Sequence, residues 1–300
     1  MNWPQYIQSF QNYLKLERGL SKNTLVNYAF DLQKLTQFLE VHYPSTTPRS
    51  ISREIIEAFI YDVSKQINAR SQSRLLSGLR SFFTYLIYEN VREDHPMELI
   101  ETPKIGRKLP DTLTMQEIDQ LIAAVDLSKA EGERNRAMLE TLYGCGLRVS
   151  ELTTLKISDL FFEEGFIKIT GKGNKQRFVP IGPHTQKYIE LYVGKVRILQ
   201  KPVKGHEDII FLNRRGRALT RAMIFTIIRQ LSTTIGLQKT ISPHTFRHSF
   251  ATHLLENGAD LRSIQLMMGH ESITTTEVYV HLDRKHLSKI VNTFHPRAGK

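Results

Sequence analysis

One cysteine, Cys145, occurs in 300 residues, so no disulfide can close within the chain, and a reducing compartment is the easier setting. Zinc sites built on two or more cysteines are excluded with it. No run of about 18 consecutive apolar residues appears, which leaves no candidate transmembrane helix. The opening residues, MNWPQYIQSFQNYLKLERGL, lack a basic segment followed by an apolar core, so no secretory leader is expected and a cytoplasmic protein is. The phosphate-cradling pattern GxxxxGK(S/T) and the zinc-binding pattern HExxH are both missing. There is no internal repeat and no low-complexity tract. No cofactor and no metal ion is expected.

What the sequence does hold is positive charge. Forty-one Lys and Arg stand against thirty Asp and Glu, giving net +11 and a pI near 9.6, a balance that favours a polyanionic partner such as nucleic acid. The excess is one-sided. Residues 1–104 contain 12 basic and 11 acidic side chains, so the other 29 and 19 fall in residues 105–300. The length suits two domains, each with its own core.

Periodicity agrees with that division. From Ser21, a good N-cap, Leu25, Tyr28, Leu32, Leu35 and Leu39 recur at steps of three and four, one face of a helix. Leu75, Leu76, Leu79, Phe82, Phe83 and Leu86 mark another, and weaker patterns at 4–17 and 52–67 complete a small helical bundle. That domain is expected over 1–96. A proline-bearing, basic stretch without a sustained period, 97–112, reads as a linker, and 113–300 as the second domain. There, helical spacing over 114–124 and 133–143 gives way to two alternating segments, FIKIT (166–170) and RFVPI (177–181), joined by GKGNK: a β-hairpin. Helices then resume. Ser242-Pro243 is a start signal and Gly258 a stop, and a capping box from Thr274 to Glu277 opens a helix carrying Tyr279.

Four segments hold polar residues that a purely structural sequence would not need. In YGCGLRVSEL (143–152), glycines end a helix and put Arg148 at a turn-to-helix junction with Glu151 close by; alone, such an Arg is usually a solvated surface residue. The hairpin tip, 171–177, can bring Lys172 close to a phosphate backbone as a proton donor, though a solvated turn has the same composition. In SPHTFRHSFATHLL (242–255), His244 and Arg247 share a face beside the positive end of a helix, where an anion is stabilised. His248 and His253 sit on different faces, which disfavours a metal pair; His248 reads as a packed or capping residue. In MMGHESITTTEVYVHL (267–282), Gly269 ends a helix, His270 follows, and Tyr279 stands nine residues beyond. A tyrosine hydroxyl ionises near pH 10, so a nucleophilic role needs a base and nearby positive charge. Both residue types are present.

In order and spacing, LRVSEL, GKGNK, HTFRH, MGH and VYVH resemble the catalytic signature of the tyrosine recombinases, the phage integrase family. Each motif is common by itself; the set is not. SRLLSGLRSFFTYLIYENVREDHP and the FHPRA tail are similar to the Xer subgroup, so the resemblance spans nearly the whole chain. It implies a mainly α fold: an N-terminal core-binding DNA-binding domain of four to five helices, then a mostly helical catalytic domain with a small antiparallel sheet. It implies that Arg148, His244, Arg247 and His270 bind the scissile phosphate, that Tyr279 attacks it to form a 3′-phosphotyrosine, that Lys172 protonates the departing 5′-oxygen, and that Glu151 supports Arg148. MMGH stands where LLGH is more usual, a volume-conserving change.

The resemblance further implies a double-stranded DNA recombination site near the replication terminus, resolution of chromosome dimers before division, a homologous sister recombinase in a heterotetramer on DNA, and a septal DNA translocase. Leu287, Ile290, Val291 and Phe294 give segment 286–294 an apolar face suited to docking on a neighbouring subunit, as the family implies, or on its own domain. The alternatives are a mobile-element integrase, a type IB topoisomerase, and a DNA-binding accessory protein without catalysis.

Overall fold

The structure is a computed structural model and describes residues 2–103, 106, 111–269 and 280–298; of Lys172 and residues 280–285 only the backbone is described. The chain divides into two units, Met1–Lys108 and Leu109–Lys300.

Among the described residues, four helices make the first unit: α1 (Trp3–Leu16), α2 (Lys22–His42), α3 (Arg53–Ser64) and α4 (Ala69–Tyr88). Each start follows from local chemistry. Ser21 Oγ accepts the Thr24 N–H at 3.3 Å, and Asn68 Oδ1 accepts the Ser71 N–H at 2.9 Å, satisfying donors that a helix N-terminus leaves open. The apolar stripes meet inside. Leu32, Leu35 and Leu39 of α2 and Leu75, Leu76, Leu79, Phe82, Phe83 and Leu86 of α4 are buried, while Leu25 and Tyr28 are half-buried at the edge. A single charge interrupts the stripe: Asp31, fully buried, takes a bidentate pair from Arg74 at 2.5 and 2.8 Å, tying α2 to α4.

The second unit contains, in order, α5 (Met115–Ala123), α6 (Gly132–Gly144), α7 (Val149–Thr153), β1 (Leu160–Phe161), β2 (Phe166–Thr170), β3 (Gln176–Pro180), α8 (Pro183–Lys195), α9 (Arg221–Thr234), α10 (Pro243–Glu256), α11 (Leu261–Met268) and α12 (Val280–Phe294). Mainly helical with one small antiparallel sheet, it is the class of fold expected from the sequence. The strands lie in the order β1-β2-β3, with Ile167 opposite Val179. Strand β1, only two residues long, leaves no periodic trace in the sequence, and β3 begins at Gln176, one residue before the expected Arg177. The core gathers around α6 and α10, where Leu139, Leu142, Tyr143, Phe246 and Phe250 are all buried. Ser242 and Pro243 start α10 as expected, and Gly258 follows its end at φ 99°.

The apolar face of the last helix has a definite place. Leu287, Ile290 and Val291 are buried in the core of their own unit, with α12 packed against β3, α10 and α11. In the single chain the face is covered on its own domain, one of the two placements its sequence allows, and covering it there removes apolar surface from water at once. Docking on a neighbour would first require this helix to withdraw. Among the described residues, no helix is long and apolar enough to cross a membrane.

Gly146 is held at φ +57°, and a Cβ there would lie 2.4 Å from the Phe250 ring. Gly146→Ala is therefore expected to cost about 2–4 kcal/mol from overpacking and left-handed strain. Thermal denaturation checks this: the second unit should melt roughly 5–15 °C lower, and an unchanged midpoint would refute the fit described.

Candidate active site

The turn after α6 sets the geometry. Gly144, Cys145 and left-handed Gly146 reverse the chain so that Arg148 becomes the residue capping α7, and Glu151, in the first turn of α7, accepts the Arg148 backbone N–H at 2.8 Å. The same carboxylate accepts from the Arg148 guanidinium at 2.9 Å. Arg148 is over a third exposed, whereas Glu151 is 2% exposed.

Two further guanidiniums reach that carboxylate from distant parts of the chain. Arg177, on β3, pairs with both its oxygens at 2.7 and 2.9 Å. Arg247, one turn into α10 and buried, lies 3.8 Å from Glu151 Oε2 and donates to the Gly146 carbonyl at 2.7 Å. All three arginines also converge on the carboxyl end of α11. Arg177 Nε donates to the Met267 carbonyl at 2.9 Å, Arg247 to that of Met268, and Arg148 to that of Gly269 at 3.1 Å. Three consecutive carbonyls thus each receive a cation, where the helix dipole is negative. Gly269 makes the turn in the left-handed conformation, φ 62°.

Three guanidiniums against one carboxylate leave this pocket positive, which is what an anionic phosphodiester needs. Burial by itself would raise the Glu151 carboxyl, but hydrogen bonding and charge from Arg177, with help from Arg148, outweigh it and hold the group below its ordinary range. It is a carboxylate at neutral pH. Burial, and then the neighbouring Arg148, push Arg247 down to about 10; it stays charged, and a bound anion would relieve the repulsion. Cys145, fully buried with its thiol pushed up to about 12 by burial, is a packing residue.

Of the other residues singled out, His244 stands exposed on the first turn of α10, one turn before Arg247. Lys172 opens the short 3-10 turn 172–174 at the hairpin tip, where Gly173 and Asn174 both have positive φ. His270, Tyr279 and the capping box from Thr274 to Glu277 lie outside the described residues. His253 is a buried partner of the Tyr143 hydroxyl at 2.8 Å, and His248 is half-buried. Among the described residues, no group of three His, Cys, Asp or Glu side chains could hold a metal ion. Sequence reasoning passed over Arg177, quoting it within the hairpin without a role. Its only local signal was a charged residue at the start of a strand.

Residues 111–286 match the phage integrase family, and residues 7–90 match the phage integrase N-terminal SAM-like domain. The chain belongs to the phage integrase family, the tyrosine recombinases, which cleave DNA and transfer its strands. Over nearly its full length it is similar to proteins named tyrosine recombinase XerD: one from Oceanobacillus iheyensis is 44% identical, covering 97% of this chain and 98% of that protein. One from Listeria monocytogenes is 41% identical, covering 97% and 99%. Among solved structures, the XerH site-specific recombinase bound to palindromic difH substrate, in a post-cleavage complex, has a TM-score of 0.72 at 25% identity, covering 94% of this chain and 83% of that one. A lambda integrase dimer bound to a COC′ core site shares the fold, with a TM-score of 0.72 at 18% identity, covering 93% of this chain and all of that one. The protein is a site-specific tyrosine recombinase.

Proposed function

We propose that Arg148, His244, Arg247 and His270 bind and activate a scissile phosphate, that Tyr279 is the nucleophile, and that Lys172 is the general acid. As the tyrosine oxygen attacks phosphorus its hydroxyl proton passes to a histidine of the site, the bond to the 5′-oxygen breaks, and Lys172 supplies the proton that leaves with it as a 5′-hydroxyl. The product is a 3′-phosphotyrosine. A 5′-hydroxyl from a second duplex reverses the step without ATP, since the covalent link retains the energy of the phosphodiester. The observation that carries this reading is the convergence of Arg148 and Arg247 on one carboxylate and on adjacent carbonyls, which holds two permanent charges at one pocket.

The setting we infer is cytoplasmic: recombination at a short chromosomal site near the replication terminus, in a tetramer with a homologous sister recombinase, so that chromosome dimers are resolved before division under a septal DNA translocase. Full-length similarity to proteins named tyrosine recombinase XerD supports it. Within this reading, α12 exchanges its seat on its own unit for one on a neighbour only when subunits assemble on DNA.

The test is a suicide duplex nicked beside the scissile phosphate and carrying the site the protein retains from its own genomic fragments. Incubated in EDTA and run on a denaturing gel, wild type should give a shifted protein–DNA adduct and Tyr279→Phe none. Absence of the wild-type adduct, with the sister protein supplied, would overturn the assignment.

A further inference from the structure

We propose that Arg177 is a positioning residue for DNA cleavage: it neutralises and clamps Glu151 and anchors the carboxyl end of α11, so that Arg148 and Arg247 keep their charge and aim for the scissile phosphate. This rests on the reading in which those two arginines bind the phosphate. Glu151 is nearly inaccessible to water, so its charge must be answered within the protein. Arg177 answers it most fully, spanning both oxygens at 2.7 and 2.9 Å. Without it, the carboxylate would draw on Arg148, already 2.9 Å away, and on Arg247, 3.8 Å away. Each would then be shared between Glu151 and the phosphate.

The second contact acts on position rather than charge. Arg177 Nε holds the Met267 carbonyl at 2.9 Å, and a Cβ on Gly269 would come within 3.1–3.3 Å of the Arg177 side chain. The arginine therefore fills the space that the left-handed glycine leaves, just ahead of His270 in the sequence. Lysine cannot substitute: one ammonium reaches neither both carboxylate oxygens nor the carbonyl beside them in the same pose.

Among the described residues, the groups paired with Glu151 are Arg148 at the start of α7, Arg177 on β3 and Arg247 on α10. Against burial, which raises it, the Glu151 carboxyl is held below its ordinary range chiefly by Arg177, so removing Arg177 raises it.

The experiment measures adduct formation on the nicked duplex across about pH 5 to 8, with DNA binding followed by gel shift. Arg177→Met should slow cleavage roughly 30-fold, below the ~100-fold that a misplacement of about 1 Å can cost, with binding changed less than about threefold because many phosphate contacts share it. Arg177→Lys should fall between. The deficit should narrow towards acid pH, because a protonated Glu151 no longer competes with the phosphate. For the same reason, Glu151→Gln in the Arg177→Met background should restore part of the rate. A deficit flat in pH, two losses that multiply, or an Arg177→Met variant that cuts like the parent would overturn the proposal. If Arg177→Met melts below the assay temperature, Arg177→Lys carries the same readouts. Failure of the underlying reading is separate: the parent itself would form no adduct.

Discussion

Arg247→Lys is expected to slow covalent adduct formation by on the order of 10³-fold while site binding weakens less than about threefold. Arg247 is buried and commits donors to two backbone carbonyls, Gly146 at 2.7 Å and Met268, yet a guanidinium has five N–H donors and keeps others for an anion. A lysine ammonium has three donors on a flexible stem and must abandon one carbonyl or the phosphate. Because charge grows on the non-bridging oxygens as the tyrosine attacks, a fixed bidentate donor acts most strongly in the transition state, and its loss appears in the rate rather than in binding. Single-turnover kinetics on the nicked duplex check this. A rate within tenfold of the parent would remove Arg247 from the phosphate site.

Arg297→Met is expected to destabilise the second unit by about 3 kcal/mol or more, lowering its melting midpoint by roughly 6–12 °C. The tail after α12 returns into the protein: Arg297 is 5% exposed, bonds Asp119 at 2.8 Å and brings Nε within 3.1 Å of Glu140 Oε2 without hydrogen-bond alignment. His184 Nε2 lies 3.1 Å from both Glu140 and Arg297. Nearby His295, driven down to about 3 by burial and then by Arg297, is neutral. Burial raises the Glu140 carboxyl in spite of Arg297 and His184. A folded-state value above the unfolded one contributes stability that is complete below the unfolded value and lost as pH rises through the folded one. Removing Arg297 raises the folded value further, so the deficit should be larger at about pH 8 than at about pH 5, and Glu140→Gln should recover much of it. Melting curves at the two pH values decide; a deficit independent of pH would mean that Glu140 is not what Arg297 answers.

These two arginines mark how far the sequence could be read. Arg247 was legible because Ser242-Pro243 announces a helix start and places it one turn inside beside His244, and the stripes of α2 and α4 were legible because their period is local. Arg297 was not. FHPRA carries a likeness to the Xer subgroup but no role for its arginine, and Glu140 falls in the middle of an ordinary helical pattern, so their pairing follows from tertiary packing that no short period encodes. Arg177 failed to declare itself for the same reason: its partners are 26 residues upstream and 90 downstream. Strand β1 is too short to alternate.

The three carbonyls of α11 have a consequence for synthesis. Arg148 meets its carbonyl across 121 residues, Arg177 across 90 and Arg247 across 21. A nascent chain that has already exposed its first two arginines still lacks the helix end that arranges them, because α11 is translated near the last. Until it emerges, the ribosome carries the arginines without the carbonyls that fix their arrangement. The arrangement of the three guanidiniums is therefore completed only after α11 has been made, an order set by the succession of elements along the chain.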